Sequence, residues 1–133
     1  MLTKTNKLIS DLKKSLSSCN VLDTLEERYA YAQDATNTKE IKNLPDVVVF
    51  VENIEQVQNV VKLANKYKTP IICRGAGTNV VGACSTEYGG VVLNFSKMNK
   101  ILEINRENMT ARVQPGVVLG DLQKAVENFG FFY

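Results

Sequence analysis

The apolar positions of this chain change their period several times. In "NKLISDLKKSL", Leu8, Ile9, Leu12 and Leu16 recur at helical spacing, with Lys7, Asp11, Lys13 and Lys14 on the other side, which predicts an amphipathic helix. Residues 20–44 mix charge and polarity around "LEERYAYAQDATNTKE" and read as a short helix plus loop. "PDVVVFVEN" is a continuous β-branched run, the pattern of a strand buried on both faces. Asn53 follows as an N-cap with Gln56 three positions on, an arrangement resembling a capping box. Ile54, Val57, Val60, Val61, Ala64 and Tyr67 then form an apolar helical face, closed by Lys66, Lys68 and Pro70. "PIIC" is another short strand, so this stretch predicts a βαβ unit with two parallel strands and a right-handed crossover.

"GGVVLNF" predicts a further strand. "KILEIN" and "MTARVQ" predict a hairpin with one wet face, because Met109, Ala111 and Val113 alternate with Thr110, Arg112 and Gln114. Pro115-Gly116 is a turn. "LGDLQKAVENFG" puts Leu119, Leu122, Val126 and Phe129 at helical spacing, with Gly130 as the C-terminal cap. The class is α+β, a βαβ unit followed by strands, a hairpin and a helix. The last three positions, Phe131, Phe132 and Tyr133, are aromatic where chain ends are commonly polar, and this predicts a chain that continues or a partner that covers them.

Composition narrows the function. At 133 residues and 44% hydrophobic the chain suits one domain with a real core. The 16 basic and 14 acidic residues are dispersed, leaving no basic face for nucleic acid. Three cysteines without a CxxC pair predict a reducing, cytoplasmic compartment rather than a disulfide framework. Apolar runs such as Val47 to Val51 fall far short of the roughly 18 residues of a membrane span, although the lysines of the first helix leave a peripheral membrane position open. Histidine is absent, which removes the usual proton shuttle and the commonest metal ligand.

The chemistry concentrates in "CRGAGTNVVGAC", Cys73 to Cys84. Gly75 and Gly77 flank Ala76 directly after a strand, and small residues there let successive amide N–H groups turn toward an anion, phosphate above all. Two phosphate motifs fail on spacing. A GxGxxG fingerprint needs glycine where Val80 stands, and a P-loop needs Lys and Ser or Thr where Ala83 and Cys84 stand. A bare tight turn would explain a lone GxG, but Thr78, Asn79 and Gly82 extend the small, polar stretch beyond any two-residue turn and point to a ligand.

"RGAGTNVVGA", preceded by "PDVVVFVENIEQVQNVVKLANKYKTPIIC" and followed by "GGVVLNFSKMNKILEINRENMTARVQPGVVLGDLQKAVENFGFFY", resembles the FAD-binding domain of the vanillyl-alcohol-oxidase (PCMH) type. Within that superfamily it is most similar to the glycolate oxidase D subunit and the FAD-linked D-lactate dehydrogenases. The resemblance covers roughly residues 29–133, with residues 1–28 as a helical lead-in. It implies that Gly75, Ala76, Gly77, Thr78 and Asn79 wrap the FAD pyrophosphate with Gly82 close by, and that Pro115, Gly116 and Val117 lie against the cofactor. Arg74 matches a family position, as a phosphate contact or as an ion pair under the loop. Without a histidine to tether it, the FAD is implied to be noncovalent.

The resemblance further implies oxidation of a small 2-hydroxy acid, with hydride transfer to FAD and electrons leaving through an iron–sulfur subunit or an electron-transfer flavoprotein. It makes the chain the first portion of such an enzyme, without the catalytic groups. Two other readings stand beside it: a self-contained small nucleotide-binding or interaction module, and a relative of aldonolactone-type or cell-wall precursor enzymes on the same fold. Cys73 and Cys84 read as inert thiols, Cys19 as an ordinary half-buried residue, and Tyr29, Tyr31 and Asp34 as either a family block or an aromatic support for the lead-in. Asp121 and Glu127 read as solvated charges on the last helix.

Overall fold

Thr3, Thr24 and Asn53 each turn a side-chain oxygen onto the amide three residues on, and these caps start α1 (Lys4–Ser15), α2 (Leu25–Tyr29) and α3 (Ile54–Lys66). The computed structural model describes residues 3–17, 20–36 and 41–133. At α2 the capping box is complete, with Glu27 reaching back to Thr24. At α3 it is shifted by one residue, because the Gln56 side chain accepts from the Glu52 amide at 2.8 Å rather than from Asn53.

The strands are β1 (Val21–Leu22), β2 (Val47–Phe50), β3 (Ile71–Arg74), β4 (Val91–Asn94), β5 (Ile101–Asn105) and β6 (Thr110–Val113). The first four form one sheet in the order β1-β2-β4-β3, with β1 antiparallel and the other three parallel. The expected parallel strands β2 and β3 are therefore present but not neighbours, since β4 lies between them and pairs with both. Strand β1 falls in the stretch read as helix plus loop; two residues are too few to show a period.

Alternation on β2 and β4 sends Val47, Val49, Val51, Val91 and Leu93 into one core with Leu8, Leu12 and Leu16 of the first helical segment and Val60 of α3. Val48 and Val92, on the opposite face, are also fully buried. Burial on both faces is what the unbroken β-branched runs encode, at about 1.5–3 kcal/mol for each large aliphatic side chain. The core leaves part of the α3 stripe uncovered: Ile54 and Val61, expected on the apolar face, are exposed, while Val60 and Ala64 are buried.

Strands β5 and β6 pair antiparallel as a separate hairpin, with an irregularity between Ile101 and Glu103 and an Arg112–Glu103 ion pair at 3.0 Å. The hairpin is wetter than alternation predicts, Met109 and Leu102 being exposed. Its Ile104, Ala111 and Val113 line an apolar groove of about 400 Å³ shared with Leu122 and Val126 of α4 (Leu119–Glu127) and with Phe131 to Tyr133. Past α4, Gly130 takes a positive φ of 78°, its amide donates to Glu127 O and the Phe131 amide donates to Val126 O. This is a Schellman closure, and it agrees with the glycine cap read from the sequence. Leu122 and Val126 of the α4 stripe are buried, whereas Leu119 and Phe129 are exposed.

Candidate functional site

Because β2, β3 and β4 run parallel, the segments leaving their carboxyl ends gather along one edge of the sheet, where open α/β sheets receive ligands. The glycine loop leaves β3 there, and residues 95–98 leave β4. The Pro115-Gly116 turn docks beside both: the Gly116 amide donates to Met98 O at 2.8 Å, and a Cβ on Gly75 would sit 3.8 Å from Pro115 O. The two segments singled out in the sequence therefore meet. Gly116 itself is fixed by packing, since a Cβ there would collide with the Phe95 carbonyl. Val117 makes the turn bond from its amide to Gln114 O.

The loop has two unlike halves. The amides of Ala76, Gly77, Thr78, Asn79 and Val80 make no hydrogen bond to a described residue. From Val81 onward every amide to Thr86 has a partner. Val81 and Ala83 donate to Asn79 Oδ1 (3.3 and 3.2 Å), Gly82 donates to Thr36 Oγ1 (2.7 Å), and Cys84 donates to Asp34 Oδ2 (3.0 Å). Ser85 donates to Gly82 O and Thr86 to Ala32 O, both at 3.1 Å. Consecutive unpaired amides on a glycine loop are the donor set an anion requires. Gly82, by contrast, spends its amide on Thr36 and serves as a fixed end of the stretch.

Arg74 lies beneath the loop. Its Nη1 donates to Gln33 O at 2.8 Å and its guanidinium stacks 5.4 Å from the centre of the Tyr31 ring, which meets Phe50 edge to face. Among the described residues its partners are a carbonyl and a ring, so of the two roles read from the sequence the ion pair is replaced by a neutral acceptor. A Cβ on Gly77, where φ is 75°, would land on this guanidinium. Glycine is favoured there by its positive φ, and any side chain would also have to move the guanidinium off Gln33 O and the Tyr31 ring.

Asp34 closes the floor. Its carboxylate accepts from the Thr36 and Cys84 amides, each at 3.0 Å, and its acidity is raised until its pKa is lowered to about 2. The hydrogen bond from the Thr36 side chain is the largest cause, followed by that from the Cys84 amide. Tyr31, Gln33, Asp34 and Thr36 were not assigned to the site from the sequence. The signal was the Asp-x-Thr of "QDAT", an Asx turn in which Asp34 accepts from the Thr36 amide. Cys73 is exposed on β3, and Cys84 is buried with its thiol between Asn79 Nδ2 (3.2 Å) and Cys73 O (3.5 Å), a packed thiol as read. Cys19 lies outside the described residues. Among the described residues no cluster of metal ligands forms and no helix is long and apolar enough to cross a membrane.

A largely parallel sheet with a glycine loop at its carboxyl edge is the arrangement on which open α/β sheets receive ligands. Residues 45–133 match the FAD binding domain family, and the chain belongs to that family. It is 43% identical to the glycolate oxidase subunit GlcD of Bacillus subtilis (strain 168) over 86% of this chain and 24% of that protein. It is 38% identical to the D-2-hydroxyglutarate dehydrogenase of Stutzerimonas stutzeri (strain A1501) over 95% of this chain and 27% of that protein. Among solved structures, p-cresol methylhydroxylase with substrate bound superimposes with a TM-score of 0.83 at 30% identity, over 96% of this chain and 25% of its own. The fold is that of the PCMH-type FAD-binding domain, in a family of FAD-dependent oxidoreductases. The chain spans about a quarter of the length of these relatives.

Proposed function

We propose that residues 29–133 form the first portion of the FAD domain of a 2-hydroxy-acid oxidoreductase, with residues 1–28 as its lead-in. The observation that carries the cofactor assignment is the run of unpaired amides from Ala76 to Val80. These donors match the negative oxygens of the FAD pyrophosphate, and their backbone origin lets small residues approach closely without a lysine. Gly75 and Gly77 keep the approach open, Gly82 ends the stretch, and Pro115, Gly116 and Val117 flank it on the side of Gly75. Arg74 supports Gly77 from below and adds positive charge under the phosphates. With no histidine in this segment, the FAD is held here by amides and shape.

The substrate class follows the relatives named for glycolate and D-2-hydroxyglutarate, both 2-hydroxy acids. FAD supplies the hydride acceptor, and this chain's residues bind and orient its pyrophosphate. A subunit name among the relatives supports a partner subunit, which in this reading accepts the electrons as an iron–sulfur subunit or an electron-transfer flavoprotein. The test is flavin content of the purified full-length protein carrying Gly77→Val. Loss of FAD with the fold retained by circular dichroism supports the cradle; a folded variant with stoichiometric FAD refutes it. Reduction of the wild-type flavin by a panel of 2-hydroxy acids, with p-cresol as the contrasting substrate, tests the class. Bleaching by p-cresol alone would refute it.

A further inference from the structure

We infer that Thr36 is a positioning residue for the cofactor loop, holding it with Asp34 in the shape that presents the amides of Ala76 to Val80. The inference rests on the pyrophosphate reading above and adds to it a control element that precedes the family-matched residues 45–133.

Residues 32–36 reach the loop at both ends. The Ala35 amide donates to Gly77 O at 3.1 Å, and Gln33 O accepts from the guanidinium that underlies Gly77 at 2.8 Å. On the far side, Thr36 takes the Gly82 amide, Asp34 takes the Cys84 amide, and Ala32 O accepts from both the amide and the hydroxyl of Thr86 at 3.1 Å. The unpaired amides of Thr78, Asn79 and Val80 thus lie between a fixed carbonyl at Gly77 and a fixed amide at Gly82, with those of Ala76 and Gly77 just before it. Fixing both ends means that little ordering remains to be done when an anion arrives, and that is how preorganisation raises affinity.

Thr36 is central because it meets both partners. Its hydroxyl accepts from the Gly82 amide at 2.7 Å while its own amide donates to the Asp34 carboxylate at 3.0 Å, so one residue links the loop to Asp34. Valine has the same shape and keeps the amide but cannot accept from Gly82. Serine keeps the hydroxyl and loses only the methyl. The pair Thr36→Val and Thr36→Ser therefore separates hydrogen bonding from packing, and since both are neutral they do not change the charge an approaching pyrophosphate meets.

The experiment measures FAD affinity by fluorescence quenching on flavin-stripped full-length protein, for wild type, Thr36→Val, Thr36→Ser and Gly77→Val. Thr36→Val is expected to bind FAD about tenfold more weakly, the scale of one lost hydrogen bond, and Thr36→Ser to stay within about twofold of wild type. Wild-type affinity in Thr36→Val, or a loss in Thr36→Ser equal to that in Thr36→Val, would overturn the inference. Gly77→Val separates the two claims. Affinity lost there but kept in Thr36→Val overturns only the positioning role, whereas affinity kept in Gly77→Val overturns the cradle and the positioning role with it. If Thr36→Val does not fold, Asp34→Asn replaces it, judged by whether FAD affinity falls or stays at the wild-type value.

Discussion

The two halves of the glycine loop are adjacent in sequence, similar in composition and opposite in state. Ala76 to Val80 leave their amides without partners among the described residues, while Val81 to Thr86 commit every one to Asn79, Thr36, Asp34, Gly82 or Ala32. Both halves are built from small residues, so smallness alone does not make a binding site. What separates them is the placement of side-chain acceptors: Asn79, Thr36 and Asp34 all serve the second half. In the positioning role we infer, the committed half holds the other open, and a loop whose amides were all unpaired would collapse onto its own carbonyls or fill with water.

The sharpest way to break this comparison is to place the same substitution in each half. Gly77 and Gly82 have almost the same φ, 75° and 73°, so valine costs each a similar left-handed strain of about 1–2 kcal/mol. Their surroundings differ. At Gly77 the new side chain lands on the Arg74 guanidinium and must expel it from Gln33 O and Tyr31, whereas at Gly82 the nearest atom is Ser85 Oγ at 3.7 Å. FAD titration should show affinity reduced about a hundredfold or more in Gly77→Val, the sum of strain and a displaced charge, and reduced by about tenfold or less in Gly82→Val. Equal losses would mean that the halves do not differ in function.

Asn79→Ala acts on the committed half directly. It removes the acceptor shared by the Val81 and Ala83 amides and the donor to Cys84 Sγ. The two amides lie toward solvent and recover water, so the expected cost is about 1–2 kcal/mol of unfolding free energy in urea titration, at the modest end for lost hydrogen bonds. A loss beyond about 4 kcal/mol would mark Asn79 as part of the core rather than a tie within the loop.

How much of this was readable beforehand follows from the range of the interactions. Strands β2 and β4 and helix α3 were legible because burial writes a local signature: an unbroken Val run for a strand covered on both faces, a stripe for a helix covered on one. Asn53 and Gly130 were legible because caps act over three or four residues. The insertion of β4 between β2 and β3 was not, since strand order depends on contacts between distant segments and no periodicity encodes it. The glycines of the proposed cradle stood out through their type. The residues that bond to the loop did not, because Thr36 meets Gly82 across 46 positions and Asp34 meets Cys84 across 50. Of the two roles read for Arg74, the ion pair gives way to a neutral partner for a related reason: charge suggests a carboxylate, and the sequence carries no mark for a backbone carbonyl turned toward a guanidinium.

The smallest expected effect tests whether Asp34 holds the committed half as a charge. Its carboxyl is lowered from the ordinary 3.8 to about 2 in the folded protein, first by the Thr36 hydroxyl and then by the Cys84 amide. A depressed carboxyl contributes stability that is complete above its unfolded value and is lost as pH falls from there through the folded value. Asp34→Asn lacks this contribution at every pH. The difference in urea midpoint between wild type and Asp34→Asn should therefore be largest at neutral pH and shrink as pH approaches about 3, where the unfolded carboxyl is already protonated. Solvent reaches the half-buried group and screens it, so the difference is modest even at its largest. A constant difference from neutral pH to about 3 would show that Asp34 acts only through shape, and the second half of the loop would then be tied down by geometry with no help from charge.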